Sequence, residues 1–131
     1  MAKVLLFNFT DEGRRKKVKA ALFRNGIPSQ EVPPERQGET IGALLGLAGF
    51  AEGEKGEEAP FQEEMIVMHG LAPRQFNGFL DGLKQNGTRV ALKAVVTEHN
   101  VNWSAARLYR ELAEEHAAMT QGTGAPAHRQ E

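Results

Sequence analysis

Apolar and polar positions along the chain alternate between two periods, one of a strand and one of a helix. Val4 to Phe9 is apolar everywhere except Asn8, as in a strand buried on both faces. Thr10 then offers a cap, with Asp11 and Glu12 in a first helical turn that favours carboxylates. Val18, Ala21 and Leu22 form the apolar stripe of that helix, and Asn25-Gly26 supplies a left-handed stop. Ile27 to Val32 predicts a second strand ended by Pro33-Pro34, and Thr40 predicts the cap of a helix from Ile41 to about Phe50. After residues 51–64 the pattern restarts. Met65 to Met68 predicts a third strand, and Pro73 to Asn86 a helix with Phe76, Phe79, Leu80 and Leu83 inward. Val90 to Val96 predicts a fourth strand, followed by a helix capped by Ser104 that buries Ala105, Leu108, Tyr109 and Leu112.

The order is βαβα twice, and the halves align in register. Val4 to Phe9 matches Met65 to Gly70, and Leu22 to Gly26 matches Leu83 to Gly87 at the same offset. The expected fold is α/β, with duplicated βαβα units forming one four-stranded, mainly parallel sheet with helices packed on it. A ferredoxin-like α+β arrangement, covered on one face, is the alternative. Residues 1–119 make a single domain on this reading, with repeats at about 3–50 and 65–119. Residues 51–64 carry six acids and one Lys without periodicity and read as a flexible acidic connector. Residues 120–131 read as a disordered tail.

Composition narrows the function classes. At 131 residues one compact core is possible, and a net charge of −1 invites neither nucleic acid nor an anionic membrane. The absence of cysteine excludes disulfides and thiolate chemistry. No apolar run is long enough for a signal peptide or a membrane span, so a cytoplasmic location is expected.

Ligands in open α/β sheets collect beyond the carboxyl ends of strands. Asn8 and Asp11, then His69, then the loop of Thr97, His99, Asn100, Trp103 and Ser104 occupy such places, and they are expected to face one another. In that loop Trp103 offers a stacking face, and His99 with Glu98 can move protons. The structural reading is simpler: Ser104 is a helix cap, Asn100 and Asn102 form turns, and Trp103 staples onto Leu108. His69, His99, Glu98 and Asp11 lack the close spacing of a metal motif, so no metal or other cofactor is expected. Lys93, within an otherwise apolar strand, must snorkel out, find a partner or serve a site. Gly42, Gly46 and Gly49 recur at helical spacing and predict one tightly packed helical face. The basic run from Arg14 to Lys19 lacks interleaved aromatics and reads as a solvated helix face, which the acidic connector is able to screen.

Met65-Ile-Val-Met-His-Gly-Leu71, Phe79-Leu-Asp-Gly-Leu83, Ala91-Leu-Lys-Ala-Val-Val-Thr97 and Asn100-Val-Asn-Trp103 together resemble a family of small bacterial proteins, common among anaerobic Firmicutes and catalogued as a domain of unknown function. Asn8-Phe9-Thr10, Glu31-Val-Pro-Pro-Glu35 and Ile41-Gly-Ala-Leu-Leu-Gly46 resemble longer members. The resemblance implies a stand-alone bacterial protein and lends no activity. Members often carry Pro in place of Glu98-His99, which shifts attention to Lys93, Thr97, Asn100 and Trp103. The expected function is a non-enzymatic regulatory module that binds a small polar ligand or a protein partner. The rival is a small enzyme on a polar metabolite, with His69 or His99 as acid/base and Lys93 as anchor. A nucleic-acid accessory role through Arg14 to Lys19 ranks third.

Overall fold

A computed structural model of the protein describes residues 2–51, 53, 56 and 58–120. The strands are β1 (Lys3–Phe7), β2 (Ser29–Val32), β3 (Met65–His69) and β4 (Leu92–Val95). The helices are α1 (Glu12–Arg24), α2 (Ile41–Leu45), α3 (Pro73–Gln85) and α4 (Ala105–Thr120), with 3-10 turns at Pro34–Arg36 and Asn100–Asn102. The tail expected to be disordered lies, from residue 121 on, outside the described residues.

One open four-stranded sheet runs in the order β2-β1-β3-β4. β1 pairs with β2 and β3 with β4 in parallel, while the central β1–β3 pairing is antiparallel. The fold is therefore α/β with a mixed, mostly parallel sheet, and each half contributes one parallel βαβ pair. Side chains alternate across the sheet. Val4, Leu6, Ile66 and Met68 pack with Val18, Leu22, Phe79 and Leu83 of α1 and α3. Leu5, Phe7, Met65 and Val67 pack with Ile41, Leu44, Ala105 and Leu108 of α2 and α4. Both faces are covered, so the ferredoxin-like alternative does not hold. This burial explains why the central strands are continuously apolar.

Three local expectations change. Asp11, not Thr10, caps α1: its carboxylate accepts from the Arg14 N–H at 2.9 Å. α2 stops at Leu45 because Gly46 turns left-handed at φ 77°. Gly49 is left-handed too, at φ 89°, so the three glycines share no helical face. Gly42 instead lies against the Phe50 ring, where an added Cβ would sit 2.5 Å from the ring carbons. The packing explanation survives for that glycine alone.

The acidic connector is anchored at its second end. Phe61 is buried between Phe7 and Tyr109, stacking on Tyr109 with ring centroids 4.4 Å apart. The Tyr109 hydroxyl donates to Glu63 at 2.7 Å, and the Ser104 hydroxyl donates to Glu58 at 2.9 Å. These bonds hold both carboxyls below the usual glutamate value, and the Glu63 bond raises the Tyr109 phenol. Glu64 takes a two-pronged ion pair from Arg14 at 2.8 and 2.7 Å.

Candidate functional site

The antiparallel register of β1 and β3 separates the residues that the strand-end argument groups together. Phe7 lies opposite Met65 and Lys3 opposite His69, so the chain leaves β1 and β3 at opposite ends of the sheet. Asn8 and His69 are thus about 17 Å apart along the strand direction, at ~3.4 Å per residue. The expectation that Asn8 and Asp11 face His69 and the loop after β4 is corrected by this register. An all-parallel sheet would have brought them together.

At the first end, Asn8 is spent on structure. It adopts φ 64°, uncommon outside glycine but tolerated by Asn. Its Nδ2 donates to the Phe61 and Glu63 carbonyls at 3.0 and 2.9 Å, and its Oδ1 accepts from Gln37 Nε2 at 3.0 Å. The side chain of Gln37, 1% exposed, also accepts from the Phe61 N–H at 2.9 Å. Asp11 is a cap. Its neighbours in the basic run are ion-paired: Arg15 and Lys19 with Glu31 at 3.6 and 2.9 Å, and Lys16 with Glu12 at 3.7 Å. The Lys19 bond pulls the Glu31 carboxyl below its ordinary range.

The loop after β4 is likewise organised by its own side chains. Thr97 Oγ1 accepts from the His99 and Asn100 N–H groups at 3.2 and 3.1 Å. Asn100 is buried; its Oδ1 accepts from the Thr97 N–H at 2.8 Å and its Nδ2 donates to the Val95 carbonyl at 3.1 Å. The amide thereby imitates a peptide group of a neighbouring strand and closes this end of the β4 edge. Ser104 Oγ caps α4, accepting from the Arg107 N–H at 3.0 Å. Trp103 packs against the core cluster that includes Leu108, while the Arg107 guanidinium covers its ring at 4.3 Å. Ser104 is thus a helix cap and Asn100 a turn former, as the structural reading expects.

His69 is half-buried and His99 exposed. Among the described residues neither side chain has a hydrogen-bond partner, and no group of three or more His, Asp and Glu is placed to hold a metal. Lys93 lies opposite Ile66, on the α1/α3 face, whereas His69 alternates with Met65 and Val67 toward the other. Lys93 Nζ donates to the Val90 carbonyl. Desolvation, then the nearby Arg89 charge, lowers the Lys93 pKa.

Four of the nine candidates, Lys93, Thr97, Asn100 and Trp103, do line one groove of about 660 Å³. It follows the outer edge of β4 between α3 and α4. Phe76 and Leu80 form one wall and Leu108, Leu112, Glu111 and Glu115 the other, with Val95 half-exposed along the floor. The Val96 N–H donates to the Met68 carbonyl at 2.9 Å, so by strand alternation the peptide groups of Lys93 and Val95 face away from β3. Of these, the Val95 carbonyl is covered by Asn100. Glu111 and Glu115, one helical turn apart, pair with no cation among the described residues. Their i, i+4 spacing was visible in the sequence; their place beside β4 was not.

Residues 64–119 match the family model of a Domain of unknown function (DUF3783). The match spans about 43% of the chain. It runs from the start of β3 through nearly all of α4, and so contains every residue lining the groove. The first half, with Asn8-Phe9-Thr10 and Ile41 to Gly46, lies outside the DUF3783 segment, and the match carries no statement of bacterial origin. No curated protein and no solved structure matches the chain. Among the described residues no helix is long and apolar enough to cross a membrane.

Proposed function

We propose that the protein is a non-enzymatic binding module that takes an extended segment of a partner protein along the outer edge of β4. The observation that carries this reading is a strand edge unpaired among the described residues, set between an apolar wall and two carboxylates with no cation partner there. The outward N–H and carbonyl of Lys93 and the outward N–H of Val95 offer strand-to-strand hydrogen bonds. Phe76, Leu80 and Val95 suit alternate apolar side chains, and Glu111 with Glu115 calls for a basic one. The partner is therefore an extended peptide alternating apolar and basic residues. The acid/base reading gains no support from His69 and Lys93, which alternate to opposite faces, and the ion-paired face of α1 favours no phosphate backbone. The two like-built βαβ halves support reading the chain as a duplicated unit whose second copy kept the binding edge.

The test uses two hexapeptides, acetylated and amidated, alternating valine with arginine or valine with glutamate. Titrated into isotope-labelled protein, the arginine peptide shifts the Lys93–Val95 amides and those around Glu111 and Glu115. Binding of the glutamate peptide is about tenfold weaker or absent. The double variant Glu111→Lys with Glu115→Lys reverses that order. Equal binding of the two peptides, or none, rejects the reading, as does a dimer through β4 in light scattering, which would assign the edge to a second copy.

A further inference from the structure

On the α3 side of β4 lies a second hollow, of about 530 Å³, within the range of small-molecule sites. Its floor is apolar, with Leu83 and Val90 buried beneath it. Its lining gathers three cations, Lys84 from the last turn of α3, Arg89 from the following loop and Lys93 from β4. Among the described residues none of the three pairs with a carboxylate. Arg14 donates both to Glu64 and to the Arg89 carbonyl, so the Glu64 carboxylate held to this loop neutralises Arg14.

The loop that assembles the cations is built rather than loose. Gly87 turns at φ 73°, the Thr88 N–H donates to the Leu83 carbonyl at 2.9 Å, and Asn86 Oδ1 accepts from the same N–H at 3.2 Å. Thr88 lines the hollow and is 4% exposed, yet among the described residues its hydroxyl oxygen has no hydrogen-bond partner. A buried hydroxyl without a partner is an unmet hydrogen-bonding demand. Burial and Arg89 both act against the charge on Lys93. Arg89 disfavours the charge on Lys93 beside a buried hydroxyl without a partner and an apolar floor, a setting that an anion with an apolar body relieves.

We infer that this hollow binds an amphiphilic organic anion, its carboxylate or phosphate met by Lys84, Arg89 and Lys93 and its apolar body lying on Leu83 and Val90. Nothing in the peptide-binding reading requires this site, which lies toward the loop between α3 and β4 and shares only Leu80 and Lys93 with the groove.

The test titrates octanoate, phenyl phosphate, neutral octanol and a valine-rich hexapeptide with either a free or an amidated carboxyl terminus. Calorimetry and amide shifts of residues 84–93 are the readouts. Charge-dependent binding is expected: an anion binds and its neutral counterpart does not. The arm that binds tells a free carboxylate or phosphate from a protein carboxyl terminus. Lys84→Gln with Arg89→Gln, both exposed positions, weakens binding about tenfold or more. Thr88→Val weakens it severalfold, and Lys16→Gln on α1 leaves it unchanged. Failure of every anion to bind, equal binding of octanol and octanoate, or affinity unaltered in the double variant overturns the inference. Because the peptides that test the β4 edge carry blocked termini, either site can fail without the other.

Discussion

Along α1, Arg14, Arg15, Lys16 and Lys19 each meet a glutamate, whereas from Lys84 to Lys93 in the second half no cation does among the described residues. The same contrast runs through the strand edges. Asn8 and Gln37 bind the connector to the first half, and the outer β2 edge carries the ion-paired Glu31 and ends on two prolines. The outer β4 edge leaves Val95 half-exposed beside Glu111 and Glu115. These polar groups of the first half are consumed by folding; in the second half several charged groups are left over. Uncompensated groups stabilise little, so their presence is better explained by something they meet outside the chain. The DUF3783 match falls on that second half.

If the first half and the connector are spent on stability, their variants should unfold the protein without addressing any ligand. Phe61→Ala is expected to cost most, about 3–5 kcal/mol, because it empties the space between Phe7 and Tyr109. Urea denaturation measures this, and a loss under about 1 kcal/mol would mean the connector merely rests on the fold. Gln37→Leu should follow at about 2–3 kcal/mol, since it strands the Phe61 N–H and Asn8 Oδ1 in a buried setting. The same two variants should leave binding along β4 unchanged when corrected for the folded fraction. A loss of affinity exceeding the loss of fold would break the division between the halves.

How much of this was legible in the chain differs by level. The element order, both parallel pairs and the two-period apolar pattern could be read from Val4 to Phe9 and from Met65 to Met68, because burial on both faces leaves a continuous apolar run. The antiparallel β1–β3 pairing could not, because no local residue encodes strand direction, and that one fact dispersed the site assembled from Asn8, Asp11, His69 and His99. Ser104, Thr40 and Pro73 announced their helix starts because capping is local. Thr10 misled because Asp11, one residue on, is the better placed acceptor for the Arg14 N–H. Phe61 was hidden by its acidic surroundings, and the cations Lys84, Arg89 and Lys93 meet only when β4 returns beside α3.

The smallest expected effect tests the clamp between the connector and α4. Glu58 and Glu63 accept from Ser104 and Tyr109, and both carboxyls sit below the ordinary value of 4.5 in the folded protein. A carboxyl lowered by folding contributes stability that is fully present above its unfolded value and lost as pH falls through the lower folded one. Thermal unfolding should therefore be flat from neutral pH to about 5 and decline below 4.5, with these two groups together accounting for no more than about 3 °C. The double variant Ser104→Ala with Tyr109→Phe removes both donors and should flatten that part of the decline, at the cost of the α4 cap. Tyr109→Phe alone keeps the ring stack on Phe61 and isolates the Glu63 share. An acid decline unchanged in Tyr109→Phe would show that Glu63 is held by its solvent and backbone contacts alone, and would place the connector's grip in the buried Phe61 ring rather than in its charge.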